Sequence, residues 1–418
     1  MSRSKNFAAA LLLSLLSGYL MVGGITSANA EDAPATQAAP DPLRPEVLGP
    51  IKEAQDLTEA KKYPEAMAKL DAIKVENPTA GESYAIDITR LKVASLTSND
   101  AVMLETLPRV LASGKLKPAE QLNLTGALAD KLFHKGDYAE AANWAQRYFK
   151  EGGKDPQMHN LLIHAYYLSN DFAHASTELN ADIAAEESAG VAPTKNQLDI
   201  LVSIAVKQDN KDAIVAAMEK YLAVLPRKDY WENLLNIVHQ RPNFSKRLVL
   251  DLYRLKLSLG IVKTSGEFLD LADEALRAGY SAEAKKVLEA GHAAGVLKDG
   301  GEYEKSMAKA TKSAADDMKT LAQTESEVKK NKDGLGLVNV GYTYVINDQF
   351  EKGLALMEQG LNSPNIKRPD EAKLHMATAY VLAGRNEEAI KAFNSVHGSD
   401  GTADLAHYWV LHLTHPIP

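Results

Sequence analysis

A six-residue turn-and-helix signature recurs along this chain of 418 residues: Gly136-Asp137-Tyr138-Ala139-Glu140-Ala141, Asn170-Asp171-Phe172-Ala173-His174-Ala175, Asp348-Gln349-Phe350-Glu351-Lys352-Gly353 and Gly384-Arg385-Asn386-Glu387-Glu388-Ala389. Self-similarity of this kind marks an array of helical hairpins, in which each unit stacks on its neighbours to complete a core it could not build alone. An aromatic content of only 6% with abundant alanine favours close-packed helices over a β-sandwich. Such arrays commonly act as docking surfaces, which points to binding before chemistry.

Aligning on the small residue that ends each signature brings out a wider pattern. Ala141 has companions at Ala129, Leu132, Gly136, Tyr138 and Tyr148; Gly353 at Gly341, Tyr344, Phe350, Met357 and Gly360; Ala389 at Ala377, Tyr380, Gly384, Asn386, Phe393 and Val396. Small residues sit where two antiparallel helices cross closely, and aromatic residues fill the gaps beside them. Glycine or asparagine between the helices supplies a left-handed C-cap.

From Ala141 to Ala175 is 34 residues, and on this spacing and these positions the chain resembles the tetratricopeptide repeat family. The copies fall at 47–80, 122–155, 156–189, 265–298, 334–367 and 370–403, with a degenerate copy at 194–227 around Ala205, Ala213 and Pro226. The resemblance implies an all-α fold, a right-handed α-solenoid whose concave groove is lined by the first helix of each hairpin. Carried onto this sequence, the groove positions are Asn123, Asp130, Phe133 and His134, then Asn160, His164 and Tyr167, with Tyr342 from a later repeat. That mixture of amides, acids and rings suits a peptide or protein partner. The lysine, arginine and asparagine arrangement with which some family members clamp a peptide carboxylate is missing, so chaperone-tail recognition is not expected.

The rest of the chain divides around these repeats. Residues 1–30 read as a secretory signal, with Arg3 and Lys5 ahead of an apolar run from Phe7 to Val22 and a small-residue site at Ala28-Asn29-Ala30. Export to the periplasm of a Gram-negative bacterium, or secretion, is expected, with no stable membrane insertion after cleavage. Removing those 30 residues and their two positive charges from a chain of net charge −8 leaves 388 residues at −10, which opposes nucleic-acid or anionic-membrane binding. No cysteine is present, which excludes disulfides and thiolate metal sites. Residues 31–45 (EDAPATQAAPDPLRP) should form a disordered linker.

Residues 46–300 should form the N-terminal and central solenoid, irregular at 82–118, where the central Gly/Ala pair is lost, and at 229–260, where Gln240-Arg241-Pro242-Asn243 breaks the helical pattern. Residues 301–333 read as one long charged helix of about 45 Å, with Met307, Ala314, Leu321 and Val328 in a seven-residue seam that packs within the chain or supports a homo-oligomeric coiled coil. Residues 334–418 should hold a C-terminal repeat pair and a capping helix in which Tyr408 and Trp409 cover the last apolar face.

Catalytic signatures are missing: there is no GxxxxGK[ST], HExxH or GxSxG. Gly334-Leu335-Gly336 is not preceded by a strand, and His407, His412 and His415 do not share one helical face. Acid pairs such as Asp316-Asp317 and Glu387-Glu388 belong to solvated faces. No catalytic residue, cofactor or metal is expected. The sequence reads as a non-catalytic scaffold or adaptor of the cell envelope; the alternatives are a self-assembling structural protein or an enzyme with its site in one of the irregular regions.

Overall fold

Left-handed turns fall where the sequence supplies residues that tolerate them. Gly136 and Gly384 take φ of 89° and 73°, and Asn170 and Asp348 take 64° and 63°, each reversing the chain between two helices as a left-handed C-cap must. The computed structural model describes residues 42–364 and 366–418; the expected signal and all but the last four residues of the expected linker lie outside them. Among the described residues there are twenty α-helices and no strand. None of these helices is long and apolar enough to cross a membrane.

Two compact units divide at Asp182/Ile183. The first begins with the hairpin α1 (Pro45–Glu59) and α2 (Tyr63–Asp71), which buries Val47, Ile51, Ala54, Ala66 and Leu70. Helices α3 (Ala80–Leu96) and α4 (Asp100–Ala112) follow. The expected irregular hairpin of 82–118 is a plain antiparallel pair. In place of the missing small-residue crossing, Arg109 grips Asp87 through two bonds of 2.9 Å. Thr79 and Glu82 form a capping box on α3, and Glu82 also receives Arg44 at 2.7 and 2.8 Å, tying the entry of α1 to the start of α3.

Helices α5 (Pro118–Lys135) and α6 (Tyr138–Lys150) form the clearest repeat, with Ala129, Ala141 and Ala145 fully buried at the crossing. Gly153 lies against the ring of Tyr148, where a Cβ would come within 2.1 Å. Helices α7 (Pro156–Leu168) and α8 (Phe172–Ser188) repeat the pattern, and the unit boundary falls inside α8.

The second unit contains α9 (Lys195–Lys207) and α10 (Lys211–Val224), the degenerate repeat; α11 (Lys228–His239) and α12 (Val249–Ser258), separated by the expected break and a short 3-10 turn; and α13 (Ser265–Arg277) with α14 (Ser281–Ala293). Next come α15 (Gly301–Lys330), the hairpins α16 (Gly334–Ile346) with α17 (Phe350–Leu361) and α18 (Pro369–Leu382) with α19 (Asn386–Phe393), and finally α20 (Thr402–Thr414). Backbones approach most closely in the pair α16/α17: a Cβ at Gly341 would meet the Gly353 oxygen at 2.6 Å, and one at Gly360 would meet the Gly334 oxygen at 2.5 Å. Only glycine permits that approach.

The seam of α15 is spent inside the chain. Met307 and Ala314 pack on the core shared by α13, α14, α16 and α17, while Leu321 and Val328 join Leu337, Val340 and Tyr344. Helix α20 does more than cover the last hairpin. It stacks Trp409 on Phe393 at 5.6 Å and also returns to the start of the unit, where Tyr408 Oη donates to Glu219 (2.9 Å), Arg241 reaches Asp404 (3.1 Å) and Ser258 meets His412 (2.9 Å). Before it, the Ser245 N–H donates to the Asp400 carbonyl (2.8 Å) and Arg247 pairs with Asp400 and Glu371. The helices from 195 to 418 therefore close on themselves.

Candidate functional site

On α12 the sequence places two charges among leucines, Asp251 and Arg254, within Leu250-Asp251-Leu252-Tyr253-Arg254-Leu255. Their three-residue spacing puts both on one face of the helix, and that face is buried: Asp251 is 2% and Arg254 6% exposed. A buried charge persists only when it is paired and hydrogen-bonded. Arg254 donates from Nη1 to Asp251 (2.7 Å) and from Nε and Nη2 to both oxygens of Glu283 on α14 (2.7 Å each). The other oxygen of Asp251, Oδ2, meets His375 Nε2 on α18 at 3.4 Å.

Aromatic rings complete the enclosure. The guanidinium lies 4.6 Å from the ring centre of Tyr342 and 5.1 Å from that of Tyr280, and the two rings pack edge to face at 5.0 Å. Cation–π contact of this kind strengthens when water is excluded. Burial alone would raise the Asp251 carboxyl, but His375 and Arg254 outweigh it and hold the group at about 2. Arg254, whose burial is likewise outweighed by Glu283 and its other partners, stays protonated. Burial pushes the Tyr280 and Tyr342 phenols up, so both remain neutral donors.

Beside this cluster the second unit holds a cavity of about 340 Å³. Leu271, Val287, Val345 and Ile346 make apolar walls, and Trp409 of α20 adds an aromatic one. Arg254, Glu283 and Tyr342 supply polar groups, and the paired Lys286 and Asp348 (2.7 Å) line it together with Leu382. Two wall residues carry a buried donor with no partner in the structure: Tyr342 Oη and Trp409 Nε1. An apolar cavity of this size with a few polar side chains in its wall has the general form of a small-molecule site.

The expected groove residues lie elsewhere, with one exception. On α5, Asn123 and His134 are exposed, and Asp130 and Phe133 are half-buried; on α7, Asn160 is exposed, and His164 and Tyr167 are half-buried. His134 Nδ1 bonds the Asp130 carbonyl (2.9 Å) and His164 Nδ1 that of Asn160 (2.8 Å), while Phe133 and Tyr167 set ring edges against Tyr138 and Phe172. Tyr342, expected on the open groove, is instead fully buried, because α12 and α18 bring Arg254 and His375 against its ring. His159 sits between Glu178 and Asp182 at 3.0 Å each, away from His164's bond on its own helix. The C-terminal histidines take separate partners: His407 faces Glu219, His412 Ser258 and His415 Thr414.

Asp251, Arg254, Glu283, Tyr280 and His375 were not singled out from the sequence. The signal available was charge at core-facing positions: Asp251 and Arg254 break a leucine run, and His375 stands between Leu374 and Met376.

No protein-family model and no curated protein matches the chain. Among solved structures it is similar to the TPR2AB-domain:pHSP90 complex of yeast Sti1 (13% identity over 71% of this chain and 99% of that one, TM-score 0.23). It is also similar to the P58(IPK) TPR domain (14%, 87% and 97%, TM-score 0.21) and to yeast Tom70 (13%, 87% and 94%, TM-score 0.23). Likeness at that level says nothing about what this chain binds. The tetratricopeptide-type architecture stands on its own helical hairpins, left-handed turns and small-residue crossings.

Proposed function

We propose that the chain is a non-catalytic scaffold or adaptor of the cell envelope that holds a peptide or protein segment on the first-helix face of its central hairpins. The observation that carries this reading is the row of accessible side chains on α5 and α7: Asn123, Asp130 and His134, then Asn160, His164 and Tyr167. They offer amide, carboxylate, imidazole and phenol groups at spacings that keep each set along one side of its helix. Pairing such groups with a partner's backbone and side chains gives specificity at modest burial. The envelope location rests on the signal read in residues 1–30.

The test is site-specific photo-crosslinking from positions 123 and 134 in the native cell, with adducts mapped by mass spectrometry. The same segment of one envelope protein should be labelled from both positions and lost in the combined Asp130→Ala, His164→Ala, Tyr167→Ala variant. Labelling that persists unchanged in that variant contradicts the assigned face. Recovery of the protein in the cytoplasmic fraction contradicts the location.

A further inference from the structure

We propose that the cavity between α12, α14, α16, α18 and α20 binds a neutral, largely apolar small molecule. The size is right: about 340 Å³ is on the order of eleven water volumes at ~30 Å³ each and falls within the ~300–1,000 Å³ of small-molecule pockets. The walls reach deep into the unit, since Leu271 and Tyr342 are wholly buried and Trp409 is 2% exposed. That depth suits a compact molecule better than an extended chain crossing the surface.

Charge decides between neutral and ionic ligands. Every ionic group on the wall is already matched: Arg254 by Asp251 and Glu283, and Lys286 by Asp348. A charged ligand would lose its water and find no unspent counter-charge. The polar atoms offer little to a ligand: the Tyr342 hydroxyl and the Trp409 N–H are closed off from the cavity by burial, and Arg254 directs three of its N–H groups at Asp251 and Glu283. An occupant therefore meets chiefly leucine, valine, isoleucine and aromatic carbon, which favours an apolar body.

The site is distinct from the peptide-binding face assigned to α5 and α7, and either assignment can fail alone. The test uses the whole protein and 6-propionyl-2-dimethylaminonaphthalene, a neutral naphthalene with one carbonyl whose emission reports both polarity and hydrogen bonding. It should bind saturably at one site per chain with blue-shifted emission. Leu382→Trp, a change at a wall residue 48% exposed, should obstruct the cavity and weaken binding by more than about tenfold without unfolding the unit. The 2-naphthoate analogue, in which a carboxylate replaces the propionyl group, should bind more than about tenfold worse. Failure to saturate, unchanged affinity in Leu382→Trp at an unchanged melting temperature, or equal affinity for the carboxylate would each overturn the proposal.

Discussion

The hairpin α5/α6 and the corner formed by α12, α14 and α16 use polar residues in opposite ways. The first packs alanine on alanine and sends its amides, acids and imidazoles outward. The second takes Asp251 and Arg254 into its interior, meets there a buried histidine from α18 and the half-buried Glu283, and lays tyrosine rings against the arginine. A repeat that only has to stack gains nothing from buried charge, because desolvation opposes it. Charge kept inside in spite of that cost marks the corner as more than packing, and the adjoining cavity gives it a use.

The largest expected contrast comes from removing the central cation of each kind of pair. Arg254→Met leaves Asp251 and Glu283 without their shared counter-ion and should cost about 3–5 kcal/mol in guanidinium denaturation. Arg109→Met, which removes a half-exposed arginine from the α3/α4 pair, should cost about 1 kcal/mol or less. Equal losses would erase the distinction. Next in size is the backbone crossing. Gly341→Ala forces apart two backbones already in contact and should cost about 1–3 kcal/mol, against about 1 kcal/mol for Ala141→Gly in the roomier α5/α6 crossing.

Acid sharpens the comparison further. The folded-state carboxyl of Asp251 lies near 2, below its ordinary value of about 3.9 in an unfolded chain. Its contribution is therefore complete above about pH 4 and lost as pH falls toward 2. Glu82 in the first unit, held at about 2 chiefly by its hydrogen bond from Arg44, behaves the same way. Stability measured from pH 5 to pH 2 should fall less steeply in Asp251→Asn than in the parent, and an unaltered slope would remove Asp251 from the account. The smallest effect belongs to the exposed face: Asp130→Ala with His164→Ala should shift stability by no more than about 0.5 kcal/mol while changing crosslinking yield.

Much of the fold was legible because it is written in local, periodic marks. Gly136, Asn170 and Gly384 announce turns, Gly341 with Gly353 announces a close crossing, and the absence of breakers after Gly301 announces α15. The hairpin at 82–118 looked irregular because an ion pair, Asp87 with Arg109, replaces the expected small residues, and an ion pair 22 residues apart leaves no periodic trace. The return of α20 to Glu219 and Ser258 spans 189 and 154 residues, and the contact of His375 with Asp251 spans 124. Such pairings depend on where distant helices arrive. The buried cluster was therefore hidden, although Asp251 and Arg254 inside a leucine run were a visible anomaly.

The most direct measurement is hydrogen exchange of the whole protein with and without the neutral naphthyl ketone. Protection should rise at 254–258, 342–346, 378–382 and around 409, the segments that line the cavity, and stay unchanged along α5 and α7. Protection that appears along α5 and α7, or nowhere, would contradict the claim that the charged interior of the second unit is a ligand site.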